Sequence, residues 1–392
     1  MKKQKAIFIT GATGFVGSNL TFELLNHGYR LILLVRGKKA KERVGSLLCH
    51  LYRHSEEYNK VKDRLEIING DITKKNLGIS SKDVGKLTQE VSKVFHCAAS
   101  VSFNESEKDA IKKHNVDGTK NILEFMLRLN LNELHYMSTA YVVGQKIGAV
   151  YEEEVGEEQS FNNTYEESKF KAEKLIKKYK ENHNITATIY RPAIIIGNSR
   201  TGKTSSFSGF YSYVKSLYLL VQIFKKDLEG DGRKSKLSGV YYKGDLLHMP
   251  LRVSGLANKT LNLVPINYVV DVIIRIFKSE NSRNKVYHIT NPNPPTLEHT
   301  QRLISDSLGV SGARIVDPLD FRANPMNRWE KFFAKTIKSF IPYFQNEEPI
   351  FLNRNIQKVL NGARIKCPYI TENLISRLIS YCVDTDWGKN IS

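Results

Sequence analysis

Residues 6–17 read AIFITGATGFVG, a short apolar run followed by three glycines with the spacing G-x-x-G-x-x-G. The apolar run predicts a buried strand, and SNLTFELLNHG after the third glycine has the apolar spacing of a helix. Glycine at Gly11, Gly14 and Gly17 permits a tight turn, close approach of a pyrophosphate and close helix packing. The helix N-terminus adds a positive dipole for phosphates. We therefore expect a dinucleotide site directly after the first strand.

Strand and helix patterns keep alternating through the N-terminal two-thirds of the chain. Further strand-like runs are RLILLV, RLEIIN, KVFHC, LHYMS, ATIYRP and, near residue 288, KVYHIT. These runs are continuously apolar, which is typical of strands buried on both faces in a parallel sheet. The fold class is therefore predicted as α/β, a Rossmann-type doubly wound parallel sheet with a smaller, mostly helical C-terminal substrate lobe.

The predicted domain organisation follows from where this alternation stops. Residues 1–200 are expected to form the dinucleotide-binding domain, to which residues 261–290 return. Residues 201–260 are expected to form an insert and residues 291–392 a C-terminal helical lobe, and both are expected to bind substrate. The tail segments WEKFFAKTIKSFIPYF and ITENLISRLISYC are helix-like. We expect them to pack on the main body, and contact of these basic helices with anionic lipid is the alternative.

Composition narrows the class of protein. The formal charge of +19 favours an anionic partner, but no basic stretch interleaved with aromatic residues predicts nucleic-acid binding. The four cysteines, Cys49, Cys97, Cys367 and Cys382, lack metal-ligand or disulfide spacing, so we expect no metal and a reducing cytoplasmic location. No apolar run approaches the ~20 residues that span a bilayer.

A second glycine motif, GNSRTGKT at residues 197–204, fits the phosphate-loop pattern G-x-x-x-x-G-K-[ST]. A phosphate loop follows a central strand, and Pro192 interrupts the strand that leads to this one. The first glycine motif also already accounts for a nucleotide phosphate. We therefore interpret 197–204 as a loop over the nicotinamide end of the cofactor, where Arg200 and Lys203 could meet a phosphate.

Tyr165 and Lys169 are four residues apart, so they share one face of a helix. An ammonium beside a phenol is expected to lower the pKa of the tyrosine toward the range of an acid/base catalyst. The pair follows the sequence STA, which begins at Ser138 at a predicted strand end, by about 25 residues. The Y-x-x-x-K pattern alone occurs often by chance, but its position after this strand end favours a functional pair.

Together these motifs resemble the extended branch of the short-chain dehydrogenase/reductases. The resemblance is carried by GATGFVG, GDIT (70–73), HCAAS (96–100), NVDGT (115–119), STAYVVG (138–144), YEESK (165–169) and YRPAIIIG (190–197). It implies that Thr139, or else Ser138, hydrogen-bonds the substrate carbonyl, that Tyr165 donates the proton, and that Lys169 orients the nicotinamide ribose. His96 and Asn115 are expected to be structural.

The resemblance also implies the cofactor contacts. Arg36 stands where proteins that prefer NAD usually carry a carboxylate, so NADPH is favoured over NADH through its 2′-phosphate. The expected cofactor-binding residues are Gly11, Thr13, Gly14, Phe15, Val16, Gly17, Arg36, Asp71, Ile72, Ala98, Ala99, Ser100, Tyr165, Lys169, Pro192 and Ile194.

Within this branch the chain looks most like the thioester and fatty acyl-CoA reductases with a male-sterility-type NAD(P)-binding domain. The resemblance implies reduction of an acyl group, carried by coenzyme A or an acyl carrier protein, to aldehyde or alcohol. A nucleotide-sugar epimerase or dehydratase and a hydroxysteroid-type dehydrogenase stay open because they share the cofactor half. A non-catalytic NADP-binding sensor or scaffold is a further alternative.

Overall fold

The structure is a computed structural model that describes residues 4–52, 55–153, 156 and 159–390. Its strands are β1 (Ala6–Thr10), β2 (Leu31–Val35), β3 (Leu65–Asn69), β4 (Val91–His96), β5 (Glu133–Met137), β6 (Ala149–Val150), β7 (Thr186–Pro192), β8 (Ile194–Ile196), β9 (Tyr241–Lys243), β10 (Leu246–His248), β11 (Arg252–Ser254), β12 (Leu263–Pro265), β13 (Val286–Ile289), β14 (Val310–Ser311), β15 (Arg314–Val316) and β16 (Ile350–Phe351).

The helices are α1 (Phe15–Asn26), α2 (Ala40–Leu51), α3 (Ser55–Asn59), α4 (Ser81–Glu90), α5 (Lys108–Lys112), α6 (Gly118–Arg128), α7 (Thr164–Asn182), α8 (Phe210–Leu228), α9 (Arg233–Ser238), α10 (Ile266–Lys278), α11 (Leu297–Ser307), α12 (Pro318–Ala323), α13 (Arg328–Thr336), α14 (Ile341–Gln345), α15 (Arg354–Leu360) and α16 (Glu372–Asp384). A π-helical turn, Lys113–Asp117, joins α5 to α6.

The central sheet has seven parallel strands in the order β13-β7-β5-β4-β1-β2-β3. In the middle of the sheet, Ile9 of β1 is aligned with Leu33 of β2 on one side and Phe95 of β4 on the other. Strand order reverses between β1 and β4, so the carboxyl ends of these strands border a crevice. This topology confirms the predicted Rossmann-type doubly wound sheet, including the late seventh strand β13.

Apolar residues cover both faces of the sheet, as the continuous strands predicted. One face packs against α1, α2 and α10 through residues such as Leu24, Leu48 and Val269. The other packs against α4, α6 and α7 through Leu87, Met126 and other side chains. Since parallel strands end in loops at the same edge, this packing holds the loops after β1, β2, β3 and β4 side by side.

The tail beyond β13 is mostly helical and shares the first of these cores. Phe333, Phe344, Ile375 and Leu378 belong to the same buried cluster as the residues of α1 and β1. The tail helices therefore pack on the main body, as expected from the sequence. The domain boundaries at residues 200, 260 and 290 stay a prediction. Within the described ranges, no helix combines the length and apolar character needed to span a bilayer.

Candidate active site

The glycine loop between β1 and α1 is shaped for close backbone contact. Gly11 has a φ of +72°, and a Cβ there would lie 2.5 Å from the backbone nitrogen of Ala98. A Cβ on Gly17 would lie 2.1 Å from the carbonyl oxygen of Gly11, so α1 packs directly on the turn. Gly14 caps α1 without a side-chain hydrogen bond. The amides of the first turn are therefore placed to bind an anion.

The other predicted cofactor residues follow the carboxyl ends of neighbouring strands. They are Thr13, Phe15 and Val16 after β1, Arg36 after β2, Asp71 and Ile72 after β3, Ala98, Ala99 and Ser100 after β4, Pro192 at the end of β7, and Ile194 in β8. Parallel strands bring all of these to one edge of the sheet. The residues present therefore fit an extended dinucleotide lying across that edge.

Arg36 lies at the outer end of this row. Its Nη1 is 4.0 Å from Oδ2 of Asp71 and 3.2 Å from Nε2 of His114, and 65% of its side chain is exposed. Partial burial acts to raise the pKa of Asp71, but hydrogen bonds from Thr73 and the charge of Arg36 outweigh it and hold that pKa below its ordinary value. A cleft of about 300 Å³ beside Arg36 is lined by Lys38, Lys39 and Lys41 among others.

Asn115 fixes the loop after β4 to helix α7. Its Oδ1 accepts from the backbone nitrogen of Ser100 at 2.7 Å, and its Nδ2 donates to the Ser100 carbonyl at 2.9 Å and to Oγ of Ser168 at 2.8 Å. The π-helical turn that contains Asn115 directs this side chain inward. The expected structural role of Asn115 agrees with these contacts, although it links a loop to a helix rather than two strands.

His96 is also a packed residue. Its Nδ1 lies 2.7 Å from Oγ1 of Thr10 and its Nε2 lies 3.1 Å from Oγ1 of Thr119. Burial, with the nearby charge of Lys169, lowers the pKa of His96 to about 3. The imidazole is therefore neutral and serves to position Thr10, whose hydroxyl also contacts the backbone nitrogen of Ala98 at 3.3 Å.

Ser138 and Thr139, at the end of β5, have different environments. The hydroxyl of Ser138 donates to the buried carboxylate of Glu173. The Thr139 hydroxyl accepts from the backbone nitrogen of Tyr141 at 3.3 Å and lies 3.5 Å from the carbonyl oxygen of Pro192, at the limit of a hydrogen bond. The Thr139 hydroxyl is therefore only weakly engaged as a donor, at the edge where Pro192 and Ile194 lie, whereas that of Ser138 is bound to Glu173.

Tyr165 and Lys169 lie on the first two turns of α7, where Asn163 caps the helix. The ammonium of Lys169 donates to the carbonyl oxygen of Met137 at 2.5 Å and lies 4.2 Å from the ring centroid of Tyr136. Burial lowers the pKa of Lys169 to about 7, and Glu173 opposes this shift. Lys169 is thus attached to the strand end that carries Thr139.

The prediction that Lys169 lowers the pKa of Tyr165 is wrong for this structure. Burial and then the charge of Glu166 raise the pKa of Tyr165 above its ordinary value. The ammonium of Lys169 is directed at Met137 and Tyr136 and does not outweigh these effects. The phenol is therefore held in its protonated form, which suits a proton donor.

Phe103 packs on Tyr165 and is itself packed by aromatic residues of the tail, which the sequence did not indicate individually. Phe103 lies 5.9 Å from Tyr165, 5.7 Å from Phe340 and 6.0 Å from Tyr343, measured between ring centroids. Phe340 and Tyr343 also line a small apolar cavity of about 20 Å³ with Ile194, Phe210 and Leu263, among others. The surroundings of Tyr165 on the side of Phe103 are therefore apolar.

Buried carboxyl groups hold this tail segment in place. Tyr343 donates to Glu166 and accepts from Nδ2 of Asn163 at 2.8 Å. Burial raises the pKa of Glu166 to about 7, against hydrogen bonds that lower it. Glu348 accepts from the hydroxyl of Tyr141 at 2.7 Å. The tail is thus tied both to the helix that carries Tyr165 and to the turn that follows Thr139.

A second buried network lies beneath Thr139. Arg191 and Glu173 have 0% and 1% of their side chains exposed and pair through Nη2 and Oε2 at 2.7 Å and through Nε and Oε1 at 3.0 Å. Nη1 of Arg191 also contacts the carbonyl oxygen of Glu152 at 3.1 Å and Nε2 of His288 at 3.2 Å. Because Glu173 accepts from Ser138, this network fixes the residue next to Thr139.

GNSRTGKT does not form a phosphate loop. No helix follows Thr204 directly, since α8 begins at Phe210, and Oδ1 of Asn198 binds the loop's own amides at Arg200 and Thr201. The expectation that this loop lies over the nicotinamide end is also wrong. Lys203 donates to the carbonyl oxygen of His50 at 2.6 Å, in the last turn of α2, because the loop packs beside the helices rather than across the strand ends.

The fold and this edge define an NAD(P)-binding protein of the extended short-chain dehydrogenase/reductase superfamily. The sequence profile of the family described as Male sterility protein matches residues 9–273. The chain belongs to this family, which confirms the resemblance seen in the motifs.

Individual relatives agree with this assignment. A fatty acyl-CoA reductase, wat, of Drosophila melanogaster is 31% identical over 242 residues, covering 53% of this chain and 46% of the relative. Aldehyde reductase lnbA of Aspergillus flavus is 26% identical over 316 residues, covering 77% of this chain and 28% of the relative. The chain thus spans less than half the length of either relative.

Among solved structures, the terminal R domain from the myxalamid PKS-NRPS biosynthetic pathway is similar with a TM-score of 0.78 and 23% identity. The match covers 100% of this chain and 93% of that domain. At this identity the likeness supports the fold, and it extends through the C-terminal helices.

Proposed function

We propose that the protein is an NADPH-dependent reductase that converts an acyl thioester to an aldehyde or alcohol. The observation that carries the proposal is the placement of Thr139, Tyr165 and Lys169 at the sheet edge that also carries the glycine loop. The apolar surroundings of Tyr165, formed by Phe103 and Tyr343, suit an acyl group rather than a sugar.

The proposed roles follow from these positions. The reduced nicotinamide, when bound, supplies a hydride to the thioester carbonyl carbon. Thr139 and Tyr165 donate hydrogen bonds to the carbonyl oxygen, and Tyr165 gives it a proton. The resulting hemithioacetal breaks its carbon–sulfur bond, which releases the thiol and leaves the aldehyde. A second hydride and proton would convert the aldehyde to the alcohol.

Lys169 and the outer residues would hold the cofactor. Lys169 lies one helical turn from Tyr165, where it can bind the nicotinamide ribose hydroxyls. Arg36, with Lys38 and Lys39, gives a positive field at the end of β2, which favours the 2′-phosphate of NADPH over the plain ribose of NADH. Asp71 remains within reach of Arg36, so the guanidinium is partly oriented before binding.

The names of the relatives support a thioester as substrate. One relative is a fatty acyl-CoA reductase, and another solved structure is a thiolation-reductase di-domain from an archaeal non-ribosomal peptide synthetase, with a TM-score of 0.73 and 19% identity over 98% of this chain and 76% of that chain. We therefore propose acyl-CoA or an acyl carrier protein as the partner that presents the acyl group.

The test measures NADPH oxidation by the purified protein with a panel of acyl-CoAs and acyl carrier proteins. Nucleotide sugars and ketosteroids serve as controls for the epimerase and dehydrogenase alternatives. Oxidation with a thioester and none with the controls is the expected result. Oxidation with a control alone, or conversion of a nucleotide sugar without net oxidation, contradicts the proposal.

Tyr165→Phe tests the proton donor. The variant should lose turnover by roughly a hundredfold or more, which is typical of removing a general acid. NADPH binding, measured by its fluorescence, should change little because the ring and its packing on Phe103 remain. Retained turnover would contradict the role of Tyr165, and dinucleotide binding without turnover on any substrate in the wild type would favour a sensor.

A further inference from the structure

A second cleft, of about 500 Å³, opens on the helical side of the fold, away from the strand ends. Its walls are α1, α10, the loop that contains Ser199 and Arg200, and residues 364–368. The cationic side chains in its lining are Arg200, Arg275, Lys278, Arg364 and Lys366. Its volume lies in the range of small-molecule sites.

The cations in this cleft form no close ion pair with its carboxyl groups. Across the described residues, none of the five cations lies within 4.0 Å of a carboxylate oxygen, although Glu23 and Asp271 line the same cleft. Glu23 pairs instead with His27 at 4.0 Å. Burial raises the pKa of both carboxyl groups and Asp271 raises that of Glu23 further, while the charge of Arg200 acts to lower both pKa values. Cations exceed carboxylates by three, so the cleft keeps a positive field.

The loop that supplies Arg200 is held firmly at this place. Asn267 on α10 accepts from the backbone nitrogen of Ser199 at 2.9 Å and donates to its Oγ at 3.0 Å. Nη1 of Arg377 on α16 donates to the Ser199 carbonyl at 2.6 Å. Two helices therefore fix the residue next to Arg200, and the guanidinium is presented to the cleft by an ordered backbone.

The cleft is separate from the dinucleotide site. Glu23 and His27 lie at the end of α1, whereas the glycine loop precedes its first turn. Since each helical residue advances about 1.5 Å, the end of this 12-residue helix is on the order of 18 Å from the loop. A dinucleotide bound at the strand ends leaves the cleft open to another ligand.

We propose that this cleft binds a small phosphorylated molecule with a diphosphate group. The cations would bind the phosphate oxygens, for which guanidinium and ammonium groups are suited. Glu23 and Asp271 would accept hydrogen bonds from hydroxyl or amine groups on the rest of the ligand. The diphosphate could be free or carried by a nucleotide, and the experiment distinguishes these two sources.

The test is calorimetric titration of the full chain with inorganic pyrophosphate and, separately, with ADP. NADP⁺ equimolar with the protein is present throughout, so that the glycine loop is occupied while little free dinucleotide remains to compete for the cleft. The variant Arg364→Ala/Lys366→Ala should bind pyrophosphate at least about tenfold more weakly, since it loses two charge-assisted contacts. The matched control Lys177→Ala/Lys178→Ala removes the same charge from an exposed part of α7 and should bind like the wild type.

If ADP binds more tightly than pyrophosphate, the diphosphate ligand of the cleft is carried by a nucleotide. If the two bind equally, the cleft recognises the diphosphate group alone. The proposal is overturned if the wild type binds neither ligand, if the cleft variant binds as the wild type does, or if the control loses binding equally. Because none of these substitutions touches the proposed catalytic residues, thioester reduction is a separate check that every variant is folded.

Discussion

Removing the carboxylate of Glu173 should destabilise the protein more than removing one partner of an exposed ion pair. Glu173 and Arg191 are almost fully buried and share two hydrogen bonds of 2.7 and 3.0 Å. Breaking such a buried pair from one side typically costs about 3–5 kcal/mol, because the remaining charge stays out of water. The hydroxyl of Ser138 loses its acceptor as well, which adds about 1 kcal/mol.

The assay is urea unfolding of Glu173→Ala, followed by circular dichroism. The expected result is a lower midpoint with little change in slope, equivalent to a loss of about 5 kcal/mol in the free energy of unfolding. Glu173→Gln retains the side-chain volume and one acceptor oxygen, and should lose less. Glu167→Ala, which removes the half-exposed pair with Lys171, should cost only about 0.5 kcal/mol.

A loss of unfolding free energy in Glu173→Ala no larger than that in the Glu167→Ala control would contradict a large contribution of the buried pair. The same variants also test function, because Glu173 holds Ser138, the neighbour of the proposed catalytic Thr139. If the network positions that strand end, the glutamine variant should fold and yet show a lower kcat with thioester substrates.

Two further predictions concern the cofactor edge. Arg36→Ala should raise the KM for NADPH by roughly tenfold, equivalent to about 1.4 kcal/mol, because the 2′-phosphate loses its guanidinium partner. The KM for NADH should stay nearly unchanged. An equal effect on both KM values would show that Arg36 does not contact the 2′-phosphate. Lys169→Met should flatten the rise of stability with pH between about 7 and 10, measured as urea midpoints at pH 7 and 9. The folded pKa of Lys169 is about 7 and its unfolded value is near 10.5, so the unfolded chain binds more protons in this window and wild-type stability increases with pH. Identical slopes in variant and wild type would contradict this origin.

The cofactor edge could be predicted from the sequence because its residues follow apolar strands. The carboxyl ends of parallel strands meet at one edge, so finding the strands also places Gly11, Arg36, Asp71 and Thr139 near one another. Helical spacing likewise placed Tyr165 and Lys169 on one face. The wrong expectation for the pKa of Tyr165 came from spacing alone, which does not show that Lys169 is directed at Met137.

The substrate side could not be predicted residue by residue. Tyr343 contacts Glu166 across 177 positions of sequence, and it lies in a tail of short helices without a repeating pattern. GNSRTGKT was correctly not taken as a phosphate loop, since the following helix begins only at Phe210. Its position over the nicotinamide end was wrong for a related reason, because the contact of Lys203 with His50 spans 153 positions of sequence.

At the π-helical turn Lys113–Asp117, the number of residues matters as much as their identity for holding the loop after β4. A π turn holds one residue more than an α turn. Deleting one residue there would rotate α5 by about 100° relative to α6 and draw Asn115 away from Ser100 and Ser168. A relative with a single-residue gap in this turn would therefore need another side chain to hold the loop after β4. Surface loops elsewhere can change length without such compensation.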